Sequence, residues 1–502
     1  GASISDVTFE KGDGTPSAAL IAVEADRTTL NGGMATGENA SASVAGVIVD
    51  ADKNVTINDV AFKGNTLSAD RNYPIIGAVT ANLGAEQSLT ITDSTFANNT
   101  VKLTGTGSSG SSGGAAVSVK GQGTNSKLTI IGSTFSGNRY DDTKDAVNGA
   151  YGGAIGVQNA SVTLDNVTLT GNSADSGKQV QGGGYYQSVG SLDATQLKVS
   201  ENNVEASSNL MGAGMVLWGT SGSIAEGSEI TNNNGTATGS AYGGGLYMRG
   251  SRWGGKSDLS FTISGTTFSG NSLTATAGAY GGGLYVKGDT ANSDNPAEDD
   301  LGAQNGKINL TLTDVTFDSN TVNGATASQG GALYVLGAED TGDSVPDNAT
   351  VTVNNSTFTG NKAEGANGQG GAIYNAGTLD ANAVSFSNNN ATGTGGAIYN
   401  TGTMTVGGTF TGNTAHQGGA ISNVNAAEST ISDGSIFKGN KADYVGGAIS
   451  HVDSGKLIIG DNVLFENNQS IGLKKPCSQD KIQEVRVVRC ITSEPLPKSA
   501  TT

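Results

Sequence analysis

The sequence predicts an all-β fold, a right-handed, single-stranded parallel β-helix (a solenoid) of about thirteen or more coils with loop insertions. Three observations predict it. Glycine makes up 78 of the 502 residues, no segment carries the 3.6-residue apolar spacing of an amphipathic helix, and two short motifs alternate along most of the chain. Because the glycines follow no strict period of three and proline numbers only 7, collagen is excluded. Stacked repeats also explain how one fold extends over so long a chain.

The first motif is an apolar residue followed, three positions later, by asparagine. It uses 10 of the 12 phenylalanines. Its copies are Phe62 to Asn65, Phe96 to Asn99, Phe135 to Asn138, Leu169 to Asn172, Val199 to Asn202, Ile230 to Asn233, Phe268 to Asn271, Phe317 to Asn320, Phe358 to Asn361, Phe386 to Asn389, Phe410 to Asn413, Phe437 to Asn440 and Phe465 to Asn468. We expect the apolar residues to stack in a buried column at one corner of the coils. We expect each asparagine to take a left-handed φ in a tight turn and to bond through its amide to the asparagine of the next coil.

The second motif is a glycine pair followed by an aliphatic residue. Clear copies run from Gly152 to Ile155, Gly243 to Leu246, Gly281 to Leu284, Gly330 to Leu333, Gly370 to Ile373, Gly395 to Ile398, Gly418 to Ile421 and Gly446 to Ile449, and looser ones from Ile76 to Val79, Gly113 to Ala116, Gly182 to Tyr185 and Gly212 to Met215. Glycine lets a chain bend sharply or approach another backbone closely. The pair therefore predicts a bend or a close backbone approach before an inward-facing strand.

The interval between copies of the first motif sets the size of one coil. It lies between 24 and 49 residues, and the last four intervals are 28, 24, 27 and 28. About 25 residues supply three short strands and three turns, which is one coil of a parallel β-helix. Alternating runs at 128–130, 161–164 and 308–312 provide such strands. With coils ~4.8 Å apart, thirteen of them give a rod on the order of 60 Å long.

The longer intervals place extra residues at only two turns of the coil. One turn follows the asparagine, at 100–112, 139–151 and 173–181, and the other follows the glycine-pair strand, at 287–306 and 337–349. Insertions in a solenoid decorate one edge, and such edges commonly carry the binding function. We therefore expect ligand contacts at these loops.

A tyrosine follows the aliphatic residue of the glycine-pair strand in five copies. These tyrosines are Tyr247, Tyr285, Tyr334, Tyr374 and Tyr399. Since side chains alternate across a strand, an inward aliphatic residue implies an outward tyrosine, so we expect a column of exposed rings. Tyrosine combines a large contact area with a polar tip and suits contact with protein or sugar, which makes this column the candidate ligand-binding site. The alternative is that the rings only stack on one another and stiffen the sheet.

No constellation in the sequence indicates catalysis, a metal or a cofactor. His416 and His451, the only histidines, have no carboxylate or thiol at metal-ligand spacing and are interpreted as turn residues. The acidic pairs, Asp141 with Asp142 and Asp299 with Asp300, are both expected in inserted loops. The acidic segment 289–300 lacks the regular spacing of a calcium loop. We expect no cofactor, no metal and no enzymatic activity.

The net charge and hydropathy of the chain limit the kinds of molecule that it is expected to bind. With 27 basic and 45 acidic residues the net charge is -18, which disfavours nucleic acid and anionic membranes. No run of 18 apolar residues is present that would insert into a bilayer. The chain begins at Gly1 without an initiator methionine or a signal-peptide pattern, so we expect a mature or trimmed segment.

A change of composition near the C-terminal end divides the chain into three parts. Residues 1–54 are expected to form N-terminal coils or a cap, 55–470 the repetitive β-helix, and 471–502 a basic tail or cap. The last part carries a net charge of +3, whereas the rest of the chain carries -21. The last part also contains both cysteines. Cys477 and Cys490 could close a capping loop, and the alternatives are a linker or a sequence foreign to the repeats. The sequence does not decide whether these cysteines pair.

The alternation of Phe-x-x-Asn with Gly-Gly-Ala-Ile or Leu, as in Phe358 to Asn361 followed by Gly370 to Ile373, resembles the repeats of chlamydial polymorphic membrane proteins and related autotransporter passenger domains. Similar repeats occur in adhesin-like surface proteins of other bacteria and archaea. The resemblance covers about residues 55–470. It implies a secreted or outer-membrane-associated adhesin that binds a host-cell or neighbouring-cell protein or glycan. One departure is that the chlamydial proteins are often rich in cysteine, which this repeat array lacks.

Two other functions stay open at the level of the sequence. One is a polysaccharide-active β-helix enzyme or a phage-type spike, because a pair of catalytic carboxylates cannot be located from spacing within a coil. The other is a structural subunit of a surface layer or filament, in which rods self-associate end to end.

Overall fold

The computed structural model describes residues 54–69, 77–103, 113–142, 149–250, 258–288, 307–337, 349–365, 367–426, 428–453 and 455–472, together with the backbone of five strands between residues 3 and 49. Within these residues all regular structure is β-strand, and the strand pairings are parallel. A strand inside the stack pairs with the strand one coil earlier and the strand one coil later, as the Thr100–Leu103 strand does with its two neighbours. The predicted parallel β-helix is confirmed.

A coil contains up to five short strands, which we number rows 1 to 5 in chain order. Row 1 precedes the phenylalanine motif and comprises Val55–Asn58, Ser88–Thr92, Lys127–Ile131, Leu259–Ser264, Ile308–Thr313, Ala349–Asn354, Glu428–Ile431 and Lys456–Ile459. Row 2 carries the apolar residue of that motif and comprises Ala61–Lys63, Thr95–Ala97, Thr134–Ser136, Thr168–Thr170, Lys198–Ser200, Glu229–Thr231, Thr267–Ser269, Thr316–Asp318, Thr357–Thr359, Ile436–Lys438 and Leu464–Glu466. The two rows are fused in Ser3–Glu10, Thr28–Thr36, Thr378–Ser387 and Thr403–Thr411.

Rows 3 and 4 lie between the asparagine and the glycine pair. Row 3 comprises Ser41–Ala42, Thr66–Ala69, Thr100–Leu103, Arg139–Asp142, Ser173–Ser176, Asn203–Ala206, Asn234–Ala237, Ser272–Ala275, Thr321–Gly324, Lys362–Ala363 and Gln469–Ser470. Row 4 comprises Ala150–Tyr151, Val180–Gln181, Leu210–Met211, Ala241–Tyr242, Gly278–Tyr280, Ala327–Gln329 and Gly368–Gln369. The two rows are fused in Asn390–Thr394, Thr414–Gln417 and Lys441–Val445.

Row 5 follows the glycine pair. It comprises Ile21–Val23, Val47–Val49, Val79–Leu83, Val117–Gly121, Leu246–Arg249, Leu284–Lys287, Leu333–Leu336, Ile373–Ala376, Ile398–Asn400, Ile421–Val424 and Ile449–Val452. It is fused to row 1 in Ile155–Asp165, Tyr185–Thr195 and Met215–Ile224. The expected three strands per coil are therefore divided further, because residues with left-handed φ such as Asp59 and Asp93 separate row 1 from row 2.

The apolar residues of the first motif form one column. Phe62, Phe96 and Phe135 lie in register, and neighbouring phenylalanine rings along the column have centroids 4.5 to 5.0 Å apart. Leu169 and the two aliphatic residues that follow it in register continue the column where phenylalanine is absent. The rings are buried up to Phe437. The predicted column is confirmed, although it lies on a strand and not at a corner.

The asparagines of the same motif form an unbroken ladder from Asn65 to Asn468. The side-chain nitrogen of each donates a hydrogen bond of 2.7 to 3.2 Å to the side-chain oxygen of the next. The nitrogen of Asn320 also donates to the backbone carbonyl of Phe268, and its oxygen accepts the backbone N–H of Asn271. An asparagine inside the ladder thus uses both donors and both acceptor sites of its amide. The predicted amide ladder is confirmed.

The left-handed φ expected of the ladder asparagines lies instead on the residue before each of them. That residue is Gly137 with a φ of 62°, Asn232 with 54° and Asn388 with 54° in three of the coils. It turns the chain so that the next side chain points inward, and the ladder asparagines from Asn65 to Asn440 are buried. The expectation was wrong because the turn and the inward amide are the tasks of two consecutive residues.

The glycine pair performs both of its predicted tasks. The first glycine takes a left-handed φ, which is 66° at Gly281. At the second position a Cβ would clash with the backbone of the next coil, as a Cβ on Gly282 would with the carbonyl oxygen of Gly331. The pair therefore combines a tight turn with a close approach between coils.

The described residues revise one of the predicted insertions. Ser173–Ser176 and Val180–Gln181 are ordinary strands, so 173–181 contains no inserted loop. Thr28–Thr36 pairs with rows 1 and 2 of the next coil, so this N-terminal strand stacks on the array. The segments 289–306 and 473–502, with Asp299, Asp300, Cys477 and Cys490, lie outside the described residues. No described residue belongs to a helix long and apolar enough to cross a membrane.

Candidate functional site

The five predicted tyrosines form a single column on the outer side of row 5. Tyr247, Tyr285, Tyr334, Tyr374 and Tyr399 lie in register on consecutive coils. Their ring centroids are 4.7 to 5.1 Å apart, and each neighbouring pair is stacked. The structure therefore brings all of the candidate binding residues together and places them on the predicted side of the sheet. The alternative of stacked rings that stiffen the sheet also describes this geometry.

The expected exposure of this column is wrong. Tyr247 and Tyr285 are 3% exposed, Tyr334 and Tyr399 are 7% exposed, and Tyr374 is partly buried. Strand alternation tells which side of the sheet a residue occupies, but it does not tell what covers that side. Here a second row of side chains from row 4 lies over the tyrosines. We call the five tyrosines the inner column and the covering side chains the outer row.

The outer row contains the aromatic residues that reach solvent. Its members Tyr151, Met211, Tyr242 and Tyr280 are partly buried. Tyr242 and Tyr280 pack against the inner column, whereas Tyr151 contacts Tyr186, which lies in the same register two coils before Tyr247. Tyr242 stacks on Tyr280 at 5.1 Å. Their rings meet the inner column edge to face, with Tyr280 5.4 Å from Tyr334 at an angle of 70°. Aromatic pairs prefer these two arrangements, so the two layers form one tyrosine cluster outside the main core.

The sequence contained a signal for the outer row that the prediction missed. Tyr151, Tyr242 and Tyr280 each stand immediately before a glycine pair, and the phrase Ala-Tyr-Gly-Gly-Gly-Leu-Tyr occurs at both 241–247 and 279–285. The first tyrosine of that phrase belongs to the outer row and the second to the inner column. Because the glycine turn lies between them, the chain places the first ring over the inner column, nearest to the tyrosine of the next coil, as Tyr242 is to Tyr285 and Tyr280 is to Tyr334.

Burial raises the pKa of three phenol groups of the cluster. It raises the pKa of Tyr374 to about 12, with a smaller contribution from the neighbouring Tyr399. Burial also raises the pKa of Tyr399 and of Tyr280 above the usual value for tyrosine. A phenol is uncharged at neutral pH even at its ordinary pKa of about 10, so burial extends the protonated form, which can donate a hydrogen bond, to higher pH.

Stacking decides which part of the rings a ligand can reach. A ring inside the inner column has a neighbour on each face, as Tyr285 has Tyr247 and Tyr334. A sugar that stacks on an aromatic ring needs an uncovered face, so the interior of this column suits it poorly. The partly exposed rings of Tyr242 and Tyr280 are the surface that the cluster offers to a partner.

Three inserted segments begin beside this cluster. Row 5 ends at Arg249, Lys287 and Leu336 in three consecutive coils, and the following glycines are held by backbone hydrogen bonds. Gly250 donates to Lys287 at 2.9 Å and Gly288 donates to Leu336 at 3.1 Å. The segments 251–257, 289–306 and 338–348, which lie outside the described residues, thus start at one corner, directly after the strands that carry Tyr247, Tyr285 and Tyr334.

The other residues considered for chemistry are not brought into one site. His416 lies in Thr414–Gln417 and stacks on Tyr444 with ring centroids 5.6 Å apart. His451 lies in register with Asn423, which is itself in register with Asn400, and belongs to the strand Ile449–Val452 and not to the expected turn. In the part of the chain that the structure describes, no three histidine, cysteine or acidic side chains are grouped as a metal site.

The acidic pair of Asp141 and Asp142 was expected in a loop and lies in the strand Arg139–Asp142. Asp142 is buried, whereas Asp141 lies 3.7 Å from Arg139. Arg139 also bonds at 2.7 Å to Asp175 of the next coil, and burial raises the pKa of Asp175 despite this partner. The cluster binds adjacent coils of row 3 together.

Comparison with known proteins places the repeat in a family. The sequence model of the Chlamydia polymorphic membrane protein repeat matches residues 355–376, 383–401 and 407–424. Each matched segment holds one phenylalanine motif and one glycine pair, so each carries both motifs of a coil. No curated protein and no solved structure matches the chain. Proteins of the matched family are associated with the outer-membrane surface. The predicted resemblance is confirmed, and the chain carries the repeat of the polymorphic membrane proteins.

Proposed function

We propose that the chain is a non-catalytic adhesin segment, secreted and held at a bacterial cell surface, that binds a protein or glycan of a host or neighbouring cell. The surface association of the family that carries this repeat supports the proposed location. The net charge of -18 supports a partner that is neither nucleic acid nor anionic lipid.

The regular interior supports a role as a rigid carrier. Every coil from Asn65 to Asn468 repeats the same amide ladder, and a column of phenylalanine rings, replaced by aliphatic residues in three coils, runs beside it. A scaffold of this kind can hold variable loops at fixed positions, because its own coils do not depend on the loop sequences. We therefore assign binding to the loops, which differ between coils, and not to the asparagine ladder, which is the same in each coil.

The observation that carries the proposal is the corner at which the tyrosine cluster meets the insertions. In three consecutive coils an inserted segment begins directly after the row 5 strand, which carries Tyr247, Tyr285 or Tyr334. The partly exposed rings of Tyr242 and Tyr280 lie over those strands. Exposed tyrosine is favoured at recognition surfaces, and inserted loops supply specificity.

The test is binding of the fluorescently labelled full chain to cultured cells and to arrays of glycans and surface proteins. The double variant Tyr242→Ser, Tyr280→Ser removes the outer rings and is expected to weaken binding by about tenfold or more, since aromatic anchors dominate interfaces. Tyr444→Ser is the control, because it removes a tyrosine that is 47% exposed and belongs to a different part of the rod. Its binding should equal that of the unchanged chain.

Two results contradict the proposal. If the double variant and a chain with 289–306 deleted both bind as the unchanged chain does, this corner is not the binding site. If the chain cleaves a glycan and loses that activity when an acidic pair is changed, it is an enzyme and not a carrier of binding loops.

A further inference from the structure

The outer side of rows 1 and 2 carries an array of hydroxyl groups in five consecutive coils. The outward positions are occupied by Ser260, Thr262, Ser264, Thr267 and Ser269; Asn309, Thr311, Thr313, Thr316 and Asp318; Thr350, Thr352, Asn354, Thr357 and Thr359; Thr378, Asp380, Asn382, Ser385 and Ser387; and Thr403, Thr405, Thr409 and Thr411. We call these positions the hydroxyl surface. Apolar inward residues alternate with them, as the alternating burial of Ile308–Thr313 and Ala349–Asn354 shows.

Packing of the core does not require this composition. Any polar residue can occupy the outward position of a strand, and elsewhere in the same columns the chain has Lys198, Glu229 and Ile436. Within the five coils, by contrast, the hydroxyl surface holds no lysine, arginine or glutamate, and its charged residues are Asp318 and Asp380. The surface is therefore nearly uncharged on a strongly anionic chain.

The hydroxyl groups are spaced at two regular distances. Across the coils the spacing follows the ring column beneath them, in which Phe268, Phe317, Phe358 and Phe386 succeed one another at 4.9, 4.7 and 5.0 Å. Along a strand, two outward residues such as Thr357 and Thr359 are about 6.7 Å apart. Within each row the array is therefore a two-dimensional lattice with a nearly constant unit, and residues with left-handed φ, such as Gly265 and Asp314, turn the chain between row 1 and row 2.

The side chains of this lattice are held in place. Hydroxyl groups of neighbouring coils form hydrogen bonds with one another. The distance between the two hydroxyl oxygens is 3.4 Å for Thr357 and Thr316, 3.0 Å for Thr359 and Ser387, and 3.3 Å for Thr409 and Ser385. Threonine also has few rotamers, because its side chain branches at Cβ. A surface ordered before it binds loses little conformational entropy on binding.

We propose that the hydroxyl surface binds ice. A rigid periodic array gains most from a partner with the same period, because many weak contacts then form together. The two spacings are close to those between oxygen atoms on a prism face of ice. The near absence of charge complements an uncharged solid, and threonine offers a hydroxyl to bond water and a methyl group to fill the spaces between water molecules. This activity is independent of the tyrosine corner and of the proposed adhesion.

The test measures partition of the labelled full chain into slowly growing ice and inhibition of ice recrystallisation. The variant Thr311→Lys, Thr352→Lys, Thr405→Lys changes three outward residues of row 1. The control is Thr236→Lys, Thr274→Lys, Asn323→Lys, which adds the same charge at exposed, register-aligned positions of row 3 on three consecutive coils. Circular dichroism confirms that both variants are folded.

The expected result is that the unchanged chain and the row 3 variant enter ice and inhibit recrystallisation, whereas the row 1 variant needs about tenfold more protein for the same inhibition. The proposal is overturned if the unchanged chain acts no more strongly than an inert protein of equal size, or if both variants lose activity equally. Binding to crystalline cellulose without binding to ice would also overturn it, and would assign the surface to a hydroxyl-rich polymer.

Discussion

The side-chain nitrogen of Asn320 donates a hydrogen bond of 3.0 Å to the side-chain oxygen of Asn361 in the next coil. The same amide bonds to Phe268 and receives bonds from the side chain and backbone of Asn271. One side chain thus joins the coil before it to the coil after it. Because Asn320 is fully buried, water cannot replace any of these bonds.

Replacing Asn320 by alanine should destabilise the chain by about 3 kcal/mol or more. The substitution leaves the buried amide of Asn271 and the carbonyl of Phe268 without their partners, and an unsatisfied buried polar group costs about 1–3 kcal/mol. Asn323→Ala is the control, because Asn323 is exposed in the same coil and faces solvent. Urea unfolding and hydrogen exchange of the coil measure the difference. Equal stability of the two variants would show that the ladder contributes no net stability.

The interior of the coil could be predicted from the sequence, because a residue that recurs in every coil has the same neighbours in every coil. The column from Phe62 to Phe465 and the ladder from Asn65 to Asn468 were inferred on that basis, and both are present. Recurrence does not tell which of two adjacent residues takes a left-handed φ. Sequence reasoning gave it to the ladder asparagine, whereas residues such as Gly137 and Asn232 carry it.

The candidate site was harder to predict, because it depends on contacts between rows. Alternation placed Tyr285 on the outer side of its strand correctly. Its burial depends on Tyr242, which precedes a different turn and reaches across it to lie 5.3 Å from Tyr285. A pattern within one strand contains no information about this neighbour. The structure therefore moves the exposed aromatic surface from the five predicted tyrosines to the outer row.

Replacing Phe358 by alanine should cost about 3–5 kcal/mol, because a buried ring is lost and a cavity is left between two others. Phe358→Leu should cost less than about half as much, since leucine fills most of the volume. The chain itself supports this order, because Leu169 occupies the same column in its own coil. Thermal and urea unfolding of the two variants test it. A leucine variant as unstable as the alanine variant would mean that ring stacking, and not volume, dominates the column.

Replacing Gly331 by alanine should disrupt the coil, whereas replacing Gly360 by asparagine should be tolerated. A Cβ at Gly331 would clash with the backbone carbonyl of Gly371 in the next coil. Neither backbone can move away without breaking the backbone hydrogen bonds that join the two coils. Gly360 has a φ of 63°, but its Cβ would meet nothing closer than 3.5 Å, and Asn98, Asn232 and Asn388 hold the equivalent position elsewhere. Asparagine adopts this φ more readily than other side chains.

The measurement for this pair is the yield of folded chain and its melting temperature. We expect Gly360→Asn to match the unchanged chain within a few degrees and Gly331→Ala to melt lower or to aggregate. If Gly331→Ala is as stable as Gly360→Asn, the close approach between coils is not the reason for the second glycine of the pair.

Alkaline pH should weaken the tyrosine cluster before it affects the rest of the rod. Burial raises the pKa of Tyr374 to about 12, whereas in the unfolded chain it is about 10. Between these values the unfolded state loses its proton more readily than the folded state does. The stabilisation from the buried neutral phenol is therefore complete below pH of about 10 and is lost as the pH rises toward about 12.

The variant Tyr374→Phe tests this, because it keeps a ring between Tyr334 and Tyr399 and removes the ionisable group. Its urea midpoint should fall less between pH 10 and 12 than that of the unchanged chain. Tyr444→Phe is the matched control, since Tyr444 is exposed and lies in a different part of the rod. Phenolate absorbance, followed together with circular dichroism, shows whether ionisation and loss of structure coincide. If Tyr374→Phe and Tyr444→Phe lose stability in parallel over this range, the phenol of Tyr374 does not determine the alkaline limit, and burial of the inner column has no effect on its protonation.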